Sequence, residues 1–184
     1  QHLPRVIPGQ SISRVRVPGL PSEVVGYWSL WRISIDTRSL QDARIMPLFL
    51  HDNGRALMPT ARSIWDTLLE EHARVEIVGN VPTTEADTAF QKLRVEAERT
   101  GQSAFEELHA KHHQRLGREQ EKGRFAFEVR RQALNRIGLS EVRQHRIGRL
   151  EVEEQLWAEE LRQREQILPE LQAVIILRVE AENG

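Results

Sequence analysis

The period of the apolar positions changes twice along the chain. Residues 1–26 mix Pro, Gly and Ser around one short alternating piece, Ile12-Ser13-Arg14-Val15-Arg16-Val17, which predicts an extended lead-in with a single short strand. From Tyr27 to Asp36 the positions Tyr27, Trp31, Ile33 and Ile35 alternate with Arg32 and Ser34, the two-residue period of a half-buried strand. Arg44 to His51 is a second apolar strand, and the Asn53-Gly54 pair after it is a hairpin signal of type I′, with Arg55 to Met58 as a short returning strand. Thr60 then caps a helix whose Ala61, Ile64, Trp65 and Leu68 follow helical spacing, and Val75 to Val78 reads as another short strand.

Beyond Pro82 the period becomes helical. Residues 83 to 168 contain no proline, and since proline costs roughly 3 kcal/mol inside a helix, the interval bounded by Pro82 and Pro169 reads as one helical module. Thr84 is its expected N-cap, with Glu85 and Asp87 placed to suit the helix dipole. Phe90, Leu93, Ala97, Ala104 and Leu108 recur at coiled-coil spacing, interrupted by Thr100 and Glu107. Glycines 101, 117, 123, 138 and 148 are candidate kinks, and Gly138-Leu139-Ser140-Glu141 is the best stop and restart, so two or three antiparallel helices are expected, with the turn near Gly123 or Gly138. The last helix carries Ile147, Leu150, Trp157 and Leu161 on one stripe. After Pro169, the run from Leu171 to Val179 is apolar on both faces in its middle, as in a central strand.

The expected fold is therefore α+β. A small, mostly antiparallel sheet with one packed helix is interrupted by a long antiparallel, coiled-coil-like helical stalk before the last strand. The expected division is a lead-in over 1–26, a platform from 27–82 and 168–184, and a stalk over 83–167.

Composition removes several classes of chemistry. The 184 residues include no cysteine, which excludes disulfides, thiolate metal sites and a cysteine nucleophile. The longest apolar run, Ala173 to Leu177, is far short of the roughly 20 residues of a membrane span, so no membrane contact is expected and the setting expected is cytoplasmic. No P-loop, G-x-S-x-G, H-E-x-x-H or EF-hand pattern occurs. His109, His112 and His113 have spacing that could put two imidazoles on one helix face, but no pattern nearby supplies a further ligand, and a solvated face accounts for them. Trp28, Trp31 and Trp65 read as core packing, and Asp36, Asp42, Asp52 and Asp66 as solvated groups at turns or on a helix. No catalytic residue, metal or cofactor is assigned. Whether the parent protein is an enzyme is left open.

Charge is where the chain is uneven. The formal net charge is −1, yet residues 84–110 carry three basic against six acidic side chains, 111–149 eleven against four, and 150–166 two against six, giving −3, +7 and −4. The basic segment includes Arg115, Arg118, Lys122, Arg124, Arg130, Arg131, Arg136, Arg143, Arg146 and Arg149, the candidate contacts to a nucleic-acid backbone. Arginine suits phosphate because its planar fork can donate two parallel hydrogen bonds. The competing account is that these arginines form interhelical pairs and a solubilising face. Phe125 and Phe127, interleaved with Arg124 and Arg130, are expected to be buried rather than stacked on bases.

Gly26-Tyr27-Trp28-Ser29-Leu30-Trp31-Arg32, Met46-Pro47-Leu48-Phe49, Thr60-Ala61-Arg62-Ser63-Ile64-Trp65-Asp66, the stretch from Arg124 to Leu139, and Leu168-Pro169-Glu170-Leu171 together resemble the carboxy-terminal accessory region of large bacterial Swi/Snf-type superfamily II (DEAD/DEAH-like) helicases. In such proteins the ATP-binding motifs lie in upstream RecA-like lobes, and none of those motifs is present here. The resemblance implies a non-catalytic accessory region of an ATP-driven DNA translocase, touching DNA, the upstream lobes or another protein. A chain that opens on Gln1 fits a piece of a longer protein. The alternative function is a coiled-coil scaffold for protein interaction or oligomerisation, with the oligomeric state left open.

Overall fold

The computed structural model describes residues 11–35, 42–70, 75–167 and 169–181. In chain order the elements are β1 (Ser13–Arg16), β2 (Gly26–Ser34), β3 (Ala43–His51), α1 (Met58–Leu69), β4 (Glu76–Asn80), α2 (Thr83–Asn135), α3 (Ser140–Glu165) and β5 (Glu170–Val179). The fold is α+β, with one five-stranded sheet in the order β3-β2-β5-β1-β4. Only the β1–β5 pair is parallel; β2–β3, β2–β5 and β1–β4 are antiparallel. By contacts the chain divides into two compact units, Gln1–Glu106 with Pro169–Gly184, and Glu107–Leu168.

In the first unit both faces of the sheet are covered. Trp28, Leu30, Phe49, Leu177 and Val179 form a core with Val15 and Val17 beneath Ala61 and Ile64 of α1. Trp28 donates its indole N–H to the Ala61 carbonyl at 2.9 Å, and Trp65 stacks on it with ring centroids 6.0 Å apart. The opposite face meets the early turns of α2: the Trp31 and Phe90 ring centroids lie 6.1 Å apart, and Leu93 and Ala97 are fully buried. A Cβ on Gly101 would come within 2.8 Å of the Ile33 side chain, so this glycine allows close helix–sheet approach instead of kinking the helix. This is why the first part of α2 belongs with the sheet, and why the half-exposed face expected for β2 is filled. Inside the layer Trp31 donates to the Ser29 hydroxyl at 2.8 Å, which satisfies both buried polar groups.

A charged network ties the start of α2 to the sheet. The Tyr27 hydroxyl donates to Glu85 at 2.6 Å, and Arg14 lies 3.6 Å from the same carboxylate. Arg178 sits over the Tyr27 ring, 4.9 Å from its centroid, and forms a two-bond pair with Asp52. Asp52 is thus paired rather than simply solvated. The Arg178 guanidinium holds its carboxyl below the usual carboxylate range, and Asp52 in turn raises the pKa of Arg178. Burial, then the hydrogen bond to Glu85, pushes the Tyr27 hydroxyl up to about 12.

Several local expectations change. The short strand expected within the lead-in is present as β1, but it lies inside the sheet, paired on both sides; residues 1–10 lie outside the described set, as does Asp36. The turn after β3 has one left-handed residue, Gly54 at φ 84°, and no non-glycine residue with positive φ among the described residues, so it is not type I′. Gly54 N–H donates to His51 and His51 N–H to Arg55, the pattern of a three-residue turn closed by a glycine. The returning strand shrinks to one bridge, Leu50 with Ala56, because α1 begins at Met58, with Leu57 at its N-cap instead of Thr60. Pro59 occupies the first turn, where its missing N–H costs no helical bond. Similarly, α2 starts at Thr83, with Pro82 accepting from Ala86 at 2.9 Å.

Candidate nucleic-acid interface

The second unit is an antiparallel hairpin made from the later part of α2 and from α3. Gly117 and Gly123 do not break α2, and the turn falls at 136–139, beside Gly138. Arg143 stabilises the turn, its guanidinium donating to the Ile137 carbonyl at 3.0 Å. Leu108, Leu116, Leu150 and Leu161 are buried along the seam. Trp157 lies against Phe127, with ring centroids 5.4 Å apart, and over Gly123, where a Cβ would come within 2.5 Å of the ring carbon Cη2.

Polar groups complete the seam. His112 is buried, with Nε2 2.9 Å from the Arg164 carbonyl and Nδ1 2.9 Å from the Arg115 guanidinium. Because the guanidinium can only donate, Nδ1 accepts and Nε2 carries the proton given to the carbonyl. His109 and His113 instead meet each other at 3.1 Å outside the seam, so the three imidazoles do not converge. Arg164 forms two bonds to Glu119, at 2.7 and 2.9 Å, and lowers the pKa of that carboxyl.

The ten arginines and lysines singled out by charge do not act as one face. Arg130 pairs with Glu153 at 2.6 Å, and Arg131 with Glu128 and Glu154; these two hold the hairpin together, as the competing account of the charge run anticipates. Arg143 serves the turn and Arg115 is engaged by His112. Arg118, Lys122, Arg124, Arg136, Arg146 and Arg149 are exposed and have no side-chain hydrogen bond or ion pair among the described residues.

Within this set one subset converges. Lys111, Arg115, Arg118 and Lys122 succeed one another at intervals of four, three and four residues, the spacing of a single helical stripe. All four line one open groove of about 690 Å³, together with Gln114, Glu119, Gly123 and Trp157. Lys111, which also pairs with Glu107, was counted in the basic segment but left out of the candidate contacts; its place in the four-three-four series was the available signal. Arg124 lies two residues beyond Lys122, about 200° round the helix at 100° per residue, and so faces the other way.

Phe127 is half-buried against Trp157, but Phe125 is 72% exposed, contrary to the expectation that both are buried. The reason is register: Phe127 falls on the Gly123 side of the helix, facing the partner, whereas Phe125 falls on the outer stripe. No helix among the described residues is long and apolar enough to cross a membrane. Comparison with family models, curated proteins and solved structures returns no match.

Proposed function

We propose that this chain is a non-catalytic accessory module of an ATP-driven helicase or DNA translocase, and that its helical hairpin holds the nucleic-acid backbone along the Lys111–Arg115–Arg118–Lys122 stripe. The observation that carries it is the convergence of these four cations on one groove. The one carboxylate lining that groove, Glu119, is already engaged by Arg164. From Lys111 to Lys122 the helix rises about 16 Å at 1.5 Å per residue, and one strand of duplex DNA presents a phosphate every ~3.4 Å of axis, so several phosphates come within reach. Guanidinium forks suit those phosphates, and nothing in the stripe reads base edges, so binding should be indifferent to sequence.

The test is the salt dependence of binding to a labelled duplex, followed by anisotropy. Up to four neutralised phosphates predict a slope of log K on log salt near −3.6, and Arg118→Glu with Lys122→Glu should remove about two of those contacts. Both positions are exposed and unpaired among the described residues, so the variant should retain its helical circular dichroism. Absence of binding at low salt, or binding unchanged in the double variant, refutes the proposal.

A further inference from the structure

The groove beside the cation stripe has an aromatic wall. Gly123 follows Lys122 in α2, about 100° round the helix towards α3. Trp157 of α3 lies over Gly123 and lines the same groove as Lys111, Arg115, Arg118 and Lys122. Leu108, Leu116, Leu150 and Leu161 of the seam are buried, whereas Trp157 is only half-buried. Its indole N–H makes no hydrogen bond among the described residues. Trp28 and Trp31, which fill the first unit, are instead fully buried, and both donate their N–H groups there. Packing against Phe127 and Gly123 thus holds the Trp157 ring in place without enclosing it.

We propose, on the nucleic-acid reading of this stripe, that the groove takes an unpaired strand, with phosphates along the cations and one base stacked on Trp157. In a duplex each base is covered on both faces by its neighbours, so the indole finds no partner there. An unpaired strand turns a base out without breaking a pair, and aromatic side chains stack on such bases. A cationic track with an aromatic platform beside it is a recurring way of holding single strands, tolerant of sequence because every base has a π-face. The groove, about 690 Å³, has room for a nucleotide, since sites for small organic ligands run from roughly 300 to 1,000 Å³. The unpaired indole N–H adds a donor for a phosphate or base carbonyl oxygen. An acidic protein segment satisfies the cations but leaves the ring unused.

The experiment compares, by anisotropy on the full chain, a labelled oligothymidine strand, an abasic phosphodiester strand of the same length, and a duplex. Wild type should bind the thymidine strand at least about fivefold more tightly than the abasic one, the lower end of base–aromatic stacking. With up to four phosphates contacted, the slope of log K on log salt should be about −2.8 for the strand, against about −3.6 for the duplex. Trp157→Leu should bind thymidine and abasic strands alike and leave duplex affinity unchanged, while Trp157→Phe should retain most of the margin. The thymidine strand should quench tryptophan emission in wild type but not in Trp157→Phe, because the other three indoles belong to the first unit. Equal affinity of wild type for thymidine and abasic strands overturns the proposal, and this comparison stands whether or not Trp157→Leu folds. An equal loss for strand and duplex in Trp157→Leu also overturns it, since a merely structural ring behaves that way. Equal affinities that still fall in Arg118→Glu/Lys122→Glu sink the stacked base and leave the backbone contact standing. No binding of strand or duplex at low salt overturns both.

Discussion

Replacing Gly123 by alanine sets two known effects against each other. In a helix interior, glycine to alanine ordinarily stabilises by about 0.8–1 kcal/mol, because alanine surrenders less backbone entropy. At Gly123 the added Cβ would lie 2.5 Å from Cη2 and 2.8 Å from Cε2 of Trp157, and closer still to Cζ2, where carbon atoms normally rest about 3.5–4.0 Å apart. Three atoms of a rigid ring cannot yield as the tip of a flexible side chain can, and overpacking of this kind costs roughly 1–3 kcal/mol. The packing cost prevails, so Gly123→Ala should destabilise the chain by about 1 kcal/mol net. Gly117, in the same helix, has nothing within 4 Å of its hypothetical Cβ, and Gly117→Ala should stabilise by about 1 kcal/mol. Urea unfolding followed at 222 nm compares the two. The decisive measurement adds Trp157→Ala: without the indole, Gly123→Ala should revert to stabilising, a coupling of about 2 kcal/mol for residues in direct contact. Equal stabilisation by Gly117→Ala and Gly123→Ala in the wild-type background would refute the close packing of Trp157 on Gly123.

Other outcomes follow from the same structure. Gly26→Ala should destabilise by more than about 2 kcal/mol, since its Cβ would meet the backbone of β3, including His51 Cα at 2.8 Å, and the sheet cannot shift there; thermal melts should show it clearly. Asp52 and Glu119 have lowered carboxyl pKa values, held by Arg178 and Arg164. Their stabilisation is therefore present above about pH 4, the unfolded value, and is lost as pH falls through the folded one. Asp52→Asn and Glu119→Gln should be less stable than wild type at neutral pH and converge with it in acid. Tyr27 behaves oppositely: raised to about 12, its contribution is intact below about pH 10 and disappears as pH rises towards the folded value, so Tyr27→Phe should flatten the alkaline loss of stability.

The elements themselves were legible because each rests on a local signal. The period-two alternation of Tyr27 to Ile35 and the apolar run from Leu171 to Val179 correspond to β2 and β5. The proline-free interval corresponds to α2 and α3, with Gly138-Leu139-Ser140 at their junction. Glycine was misread for a physical reason. A helical glycine looks like a weakness along the chain, yet Gly101 and Gly123 each make room for a side chain from elsewhere, Ile33 and Trp157, and that need is invisible without the partner. The candidate interface was half legible. Counting charge located the basic segment, but Arg130 and Arg131 belong to seam pairs with residues 23 positions away, and Phe125 and Phe127, two residues apart, have opposite fates.

By itself, then, the sequence determined what depends on neighbours along the chain: strand and helix periods, the helical interval bounded by Pro82 and Pro169, two candidate turns at Gly123 and Gly138 between which the structure chose the second, and the excess of positive charge between 111 and 149. The tertiary structure alone decided that β5 pairs with β2 on one side and β1 on the other, that the first turns of α2 cover the second face of the sheet, and that Lys111, Arg115, Arg118 and Lys122 share one groove. The reason is that burial and ion pairing are settled between residues distant in sequence. A side chain's role follows from the surface opposite it, and that surface exists only once the chain has folded.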